Sequence, residues 1–337
     1  MVAQLTTRRS LLAAAASVLL PEDEDRVMTV RGAVAPSQLG PMLPHEHLFS
    51  NFGEDPAEPP VYDEARLLAE VIPYARRVKR LGCGAIADAT AAWFGRSPRL
   101  LSRISEQTGL HILTNTGYYG AASDRYVPKH AFEESPAELA ARWLRDWKEG
   151  IGGTSIRPGF FKIGVDSGPL SEIDAKLVRA AAAAHRECGL TIAVHTGGNP
   201  EAARQQLAIL REEGVLPEAW IWVHANQVKP AEQQALAEAA QAGAWISLDG
   251  LDETSAERHL ELVLWLRREG HLGRLLLSHD GNSFRAGGKR PVRGYTFLFE
   301  RFLPMLRESG VTEAEIRRLT RDNPARAFTV RRRLKSA

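Results

Sequence analysis

Pro44-His45-Glu46-His47-Leu48 is the stretch on which the reading of this chain turns. Two histidines one residue apart, at the end of an extended segment, point to the same side of a strand, where two imidazoles can share one metal ion. Alone such a pair is weak, because this chain has 10 histidines and some pair by chance. Its weight comes from residues further along the chain. His195, His224 and Asp280 each close a separate apolar run, and Lys162 sits near the end of another.

Working outward, residues 27–43 read as a small hairpin feeding the first strand, which ends at His45-Glu46-His47. Helical periodicity follows over 63–81, with Leu67, Leu68, Val71, Ile72, Ala75 and Val78 on one face. Strand-like runs at 83–90, 110–116, 159–164, 190–195, 219–224, 244–249 and 274–280 then alternate with helix-like runs. Those helices fall at 99–108, 135–149, 171–188, 200–213, 230–242 and 255–269, and 296–309 and 312–328 close the chain. Ser135 followed by Pro136, and the glycines at 109, 189, 214 and 243, are start and stop signals. The strands are continuous apolar runs, which means burial on both faces, as in a parallel sheet covered by helices. Eight such units predict a (β/α)8 TIM barrel with a short N-terminal β-hairpin. A doubly wound open sheet is the rival, but it expects a Gly-rich phosphate loop where this chain has His-Glu-His.

The chain's 337 residues suffice for one large barrel, and 44% hydrophobic with 25% charged residues is ordinary for a globular protein. Net charge is +2, from 43 basic against 41 acidic residues, with no basic stripe, so nucleic acid is not an expected partner. No run approaches the ~20 apolar residues of a membrane span. Cys83 and Cys188 read as buried thiols. Residues 1–25 look like an export signal. Thr6-Thr7-Arg8-Arg9-Ser10-Leu11-Leu12 resembles a twin-arginine motif, and an apolar stretch and the acidic Glu22-Asp23-Glu24-Asp25 follow. The expected location is therefore periplasmic, or cytoplasmic if the signal does not function.

In a (β/α)8 barrel the C-terminal ends of all strands meet on one face, which carries the chemistry. His45, His47, Lys162, His195, His224 and Asp280 all belong to that face. Four imidazoles and a carboxylate suit Zn²⁺ or another divalent transition ion. Lysine among them needs an explanation, since an ammonium repels a cation. It is held as a neutral amine, or it reacts with CO2 to give a carbamate, a carboxylate on a long arm. Lys162 lies between Phe161 and Ile163, where an unpaired ammonium is costly, and the carbamate is the favoured reading.

These motifs resemble the phosphotriesterase-like family of the amidohydrolase superfamily from about Val27 to Phe328. Thr29-Val30-Arg31-Gly32, Leu39-Gly40 and Pro44-His45-Glu46-His47 resemble the family's entry hairpin and first metal motif. Glu149-Gly150-Ile151 and Gly159-Phe160-Phe161-Lys162-Ile163 resemble the strand with the bridging lysine, and Asn323-Pro324-Ala325-Arg326 resembles the closing motif. The resemblance implies that residues 26–337 form one metal-dependent hydrolase barrel with two divalent metal ions, zinc first. His45, His47 and Asp280 would bind the buried ion, His195 and His224 the more exposed one, and carbamylated Lys162 with a hydroxide would bridge them. The hydroxide would attack an ester of a small-molecule substrate, and Asp280 would take its proton. A homodimer is also implied.

The family's phosphotriesterases carry an Asp a few residues after the sixth-strand His and a His after the seventh strand. Here Gln227 and Gly250 stand in those places, and Gly250 also lacks the Arg found there in related lactonases. The leading expectation is therefore a carboxylic ester, a lactone first, with a phosphoric ester or phosphotriester as the alternative. An adenosine-deaminase-like reading lacks its Glu after His195-Thr196-Gly197-Gly198, and a degenerate ligand-binding barrel would have lost ligands. Asp249 is expected to orient a ligand by hydrogen bonding. Tyr119, Trp93 and Arg285 are the candidate substrate contacts. Tyr119 and Trp93 equally suit packing, and the loop residues Asn282, Ser283, Arg285, Lys289 and Arg293 read more simply as solvated.

Overall fold

The computed structural model describes residues 25–288 and 292–336. The hairpin comes first: β1 (Val27–Thr29) pairs antiparallel with β2 (Gly32–Val34). Residues Pro36–Gln38 then form a 3₁₀ turn. The barrel strands follow as β3 (Met42–Glu46), β4 (Ala85–Asp88), β5 (His111–Leu113), β6 (Asn115–Thr116), β7 (Phe160–Gly164), β8 (Thr191–His195), β9 (Trp220–Val223), β10 (Trp245–Leu248) and β11 (Leu275–Leu277). All pairings among them are parallel, in the orders β3-β4-β5 and β6 through β11. β5 and β6 are one strand interrupted at Thr114, whose carbonyl accepts from Gly159 N–H. The ring closes between β11 and β3, where Asp280 N–H donates to His45 O and His45 N–H to Ser278 Oγ. The fold is the expected (β/α)8 barrel.

Helices α1 (Glu64–Arg80), α2 (Pro98–Thr108), α3 (Lys129–Glu133), α4 (Pro136–Glu149), α5 (Glu172–Cys188), α6 (Pro200–Glu212), α7 (Gln234–Ala242) and α8 (Ala256–Arg268) cover it. α1 buries the six residues of its apolar stripe. Ser135 with Glu138, and Ser171 with Asp174, form capping boxes at α4 and α5. Gly189 ends α5 in the left-handed conformation at φ 74°.

The two closing helices differ from the expected continuous ones. α9 (Leu303–Glu308) and α11 (Asn323–Phe328) are each preceded by a wide π turn, at Leu298–Phe302 and Arg318–Asp322, the second following α10 (Glu313–Arg317). Pro304 and Pro324 supply the reason: a proline has no N–H to donate and its ring presses on the carbonyl four residues back, which the wider turn relieves.

Strand residues alternate between two layers. Ala85, Ala87, Phe160, Ala193, Ile221, Trp245 and Leu276 pack inside the barrel, whereas Ile86, Phe161, Ile192, Trp222 and Ile246 pack against the helices. Small residues face Phe160 and Trp245, so the interior is filled below the site. Cys83 and Cys188 are buried free thiols. No helix among the described residues is long and apolar enough to cross a membrane.

Candidate active site

Alternation alone delivers two of the site residues. Phe160 and Ala193 point into the barrel, so Lys162 and His195, two residues further along β7 and β8, point the same way. His45 and His47 need more. Met42 packs inside and Leu43 outside, and a register shift between Leu43 and Glu46 on β3 then re-aims the strand end. His224 has the parity of Trp220 and Trp222, which face the helices. Its left-handed backbone, φ 62°, breaks the strand geometry and turns it into the site. Asp280 is left-handed as well, φ 51°. For non-glycine residues such backbone is strained, and strain of this kind gathers at functional sites.

The result is one cavity of about 180 Å³ lined by His45, His47, Lys162, His195, His224 and Asp280. Ring centroids of His195 and His224 lie 4.5 Å apart, His45 and His224 5.0 Å, and His45 and His47 5.5 Å. Asp280 Oδ1 is 3.2 Å from His47 Nε2 and 3.4 Å from His45 Nε2. Ligand atoms of His45, His47 and Asp280 all fall within 4.8 Å of one another, close enough to hold one cation.

The protonation pattern suits a metal. Thr90 Oγ1 donates to Phe49 O, so it accepts from His47 Nδ1–H at 2.8 Å and leaves the Nε2 lone pair facing Asp280. Among the described residues His45 Nε2 is buried and makes no well-formed hydrogen bond, although Asp280 Oδ1 lies 3.4 Å from it. Burial lowers the pKa of His47, pulls that of His195 down to about 3 and holds that of His224 well below the usual range, so all three are neutral donors. Burial also brings Lys162 down to about 8, although Asp280 and Asp249 oppose it. Asp280 is held well below the usual carboxylate range: burial alone would raise it, and contact with His45 and His47 outweighs that.

Asp249, just beyond β10, accepts from His224 N–H at 2.9 Å and from Ser247 Oγ at 2.7 Å. Its Oδ2 lies 3.6 Å from Nδ1 of both His45 and His224, beyond hydrogen-bond range, so it fixes the His224 backbone rather than its ring. Tyr119 and Arg285 line the cavity, and Tyr119 O–H meets His195 Nδ1 at 3.2 Å. Trp93 packs against the Phe94 and Tyr119 cluster. It does not line the cavity; a left-handed turn at φ 64° gives that place to its neighbour Phe94. Phe52 and Phe94 form an aromatic wall with Tyr119, and Phe94 stacks on Tyr119 at 5.0 Å. Asn282 lines the cavity and donates to Ser50 Oγ, whereas Ser283 is scaffold, its Oγ donating to Leu48 O. Arg293, read from sequence as solvated, reaches Asp280 Oδ2 at 3.1 Å. Lys289 and residues 1–24 of the expected export signal lie outside the described residues.

Sequence reasoning missed Glu46. Fully buried between the two histidines, it accepts from Ser278 Oγ (2.8 Å), His279 N–H (3.0 Å), His279 Nδ1–H (2.7 Å) and Gly281 N–H (2.6 Å). Those residues flank Asp280, so the carboxylate of the first motif holds the loop that presents the last ligand. A carboxylate fixed between two ligand-type histidines was the available signal.

Fold and site define a parallel barrel with an ionisable cluster at its C-terminal mouth, the form of a hydrolase. The chain belongs to the Phosphotriesterase family, whose sequence model matches residues 25–328. It is 28% identical to an aryldialkylphosphatase of Saccharolobus solfataricus, covering 89% of this chain and 98% of that one. It is 27% identical to an N-acetyltaurine hydrolase of Rattus norvegicus, covering 90% and 98%. A solved structure described as organophosphate hydrolysis engineered from a weak promiscuous lactonase template superposes with a TM-score of 0.79 at 31% identity, covering 90% of this chain and 99% of that one.

Proposed function

We propose that this family hydrolase is a binuclear metal enzyme that cleaves a carboxylic ester, a lactone first. The observation that carries the metal reading is the convergence of six ligand-type residues on one cavity, with His45 Nε2 buried and, among the described residues, without a well-formed hydrogen bond. His45, His47 and Asp280 would hold one ion, His195 and His224 the other, and Lys162, carbamylated by CO2, would serve both. Two divalent cations, zinc first, would lower the pKa of water and polarise the acyl oxygen when bound.

The chain's own residues do the rest. The aromatic wall of Phe52, Phe94 and Tyr119 receives the apolar part of the ester and excludes bulk water. As water adds to the acyl carbon and the carbon–oxygen bond to the leaving group breaks, Asp280 Oδ2 takes the proton and returns it to the leaving alkoxide. The phosphoric ester alternative keeps these roles. It is favoured by likeness to an aryldialkylphosphatase and disfavoured by Gly250, which offers no side chain to pass a proton onward from Asp280.

Elemental analysis of purified wild type and Lys162→Ala, each assayed on a panel of lactones and phosphotriesters, tests this reading. About two metals per chain, falling in the variant together with turnover by about a hundredfold or more, is expected. Wild type with one metal or none after reconstitution in bicarbonate, and no turnover, sinks it. A circular dichroism melt of the variant separates lost metal from lost fold. Export by the twin-arginine route and a homodimer are further proposals from the sequence, checked by fractionating cells that express the full chain and by its mass in solution.

A further inference from the structure

The cavity is asymmetric in charge. One wall is aromatic, and the other presents Arg285 and Arg293. Arg293 comes from beyond β11, but its position depends on the loop after β10. A Cβ built on Gly250 would lie 3.6 Å from Arg293 Nη2, in ordinary contact, so only a side chain larger than alanine's would compete with the guanidinium for its place. From there Arg293 donates to Asp280 Oδ2 at 3.1 Å and to His279 O at 3.3 Å. Among the described residues these are the side chain's hydrogen bonds, and a guanidinium has five donors. The side chain is 41% exposed at the cavity mouth, so donors remain for a ligand. Asp280 Oδ1 is turned to His45 and His47, so Arg293 meets that carboxylate through Oδ2 alone.

We propose that Arg293 anchors an anionic group of the substrate, so that the natural ester or lactone carries a carboxylate, sulfonate or phosphate beside the bond that breaks. A planar fork of donors beside a half-open cavity suits an oxyanion, and the aromatic wall opposite suits the apolar part of the same molecule. The negative group then lies on the Asp280 side of the cavity and the acyl chain on the Tyr119 side. The substrate class rests on the hydrolase reading, whereas the anion anchor is measurable without turnover.

The test uses metal-loaded wild type, Arg293→Gln and Arg293→Lys. The substrates are the γ-lactone of α-hydroxyglutaric acid, which keeps one carboxylate, and its neutral carboxamide. Wild type is expected to prefer the carboxylate by about tenfold in kcat/KM. Because Arg293 also touches Asp280, both substrates lose kcat in Arg293→Gln. The preference itself collapses through KM, and Arg293→Lys restores part of it. Equal losses for the two lactones would overturn the anchor and leave Arg293 a partner of Asp280 alone. Calorimetry with tetrahydrofuran carboxylate and its carboxamide, rings that cannot be hydrolysed, gives the independent arm. Selective weakening of the carboxylate by about tenfold in Arg293→Gln, with no turnover of either lactone, keeps the anchor and removes the ester hydrolase. Unchanged binding of the carboxylate overturns the anchor.

Discussion

Glu46 shows how much one side chain can hold in place. Its two oxygens accept four donors from Ser278, His279 and Gly281, and His279 Nε2 in turn accepts from Leu298 N–H. The first strand, the last strand and the start of the closing helices therefore meet at one buried carboxylate. Glu46→Gln preserves the shape but points an N–H₂ at groups that are themselves donors. We expect it to cost about 2–3 kcal/mol, because a buried donor left without an acceptor pays its full desolvation. Urea titration of the metal-free protein reads this directly, and a loss under about 0.5 kcal/mol would show the network to be dispensable. Residue identity at the site was legible because histidine, lysine and aspartate are conspicuous at the ends of apolar runs. The work of Glu46 was not, since its partners lie some 230 positions away in sequence.

At the scale of elements, periodicity placed α1 to within a residue, with all six of its buried positions, and the eight strand positions fell in the right order. Register was harder. The bulge in β3 and the left-handed turn at His224 decide which way the ligands face, and neither leaves a mark in apolar spacing. The π turns before Pro304 and Pro324 were hidden because proline signals a break without saying how the helix repairs it. A second coupling between elements lies under α5. His185 Nδ1–H donates to Leu190 O, and Nε2 accepts from Arg333 N–H, so only the neutral ring makes both bonds. Burial pulls its pKa down to about 4; the bond to Leu190 opposes this and Arg333 adds to it. The unfolded chain has a His of ordinary pKa, about 6.5, so it alone takes up the proton as pH falls from there towards 4. Stability contributed by neutral His185 is thus complete above the upper value and declines through that window, by about 3 kcal/mol at most. His185→Gln should be less stable than wild type near pH 7 yet lose less between about pH 7 and about pH 5, as read by urea unfolding at both. An equal loss in the two proteins would remove His185 as the titrating group.

For the molecule as a whole, the barrel brings residues as distant as His45 and Asp280 to one cavity, and that convergence follows from counting strands. The aromatic wall did not follow from counting, because Phe52 and Phe94 come from loops of irregular path. On the binuclear reading the cluster couples the two ends of the sheet through bound ions. A chelator should then lower the melting temperature of loaded protein, and restored zinc should raise it again. The expected stabilisation is about 3 kcal/mol for each ion at a hundredfold excess over its dissociation constant. Differential scanning calorimetry before and after chelation checks this, and a melting point indifferent to both treatments would count against tight metal binding.

The C-terminal segment runs beneath the barrel. Val330 N–H donates to Arg26 O, Arg331 pairs with Asp25, and Leu334 bridges to Val215 ahead of β9. Entry into the fold and exit from it are thus side by side, on the face opposite the mouth. That arrangement makes the barrel a natural subject for circular permutation, since a short peptide can join Asp25 to the segment after Val330 without crossing the opening. For the same reason a tether joined at Asp25 or just after Leu334, whether an affinity handle, a fused protein or a solid support, would hold the molecule with its mouth turned outward.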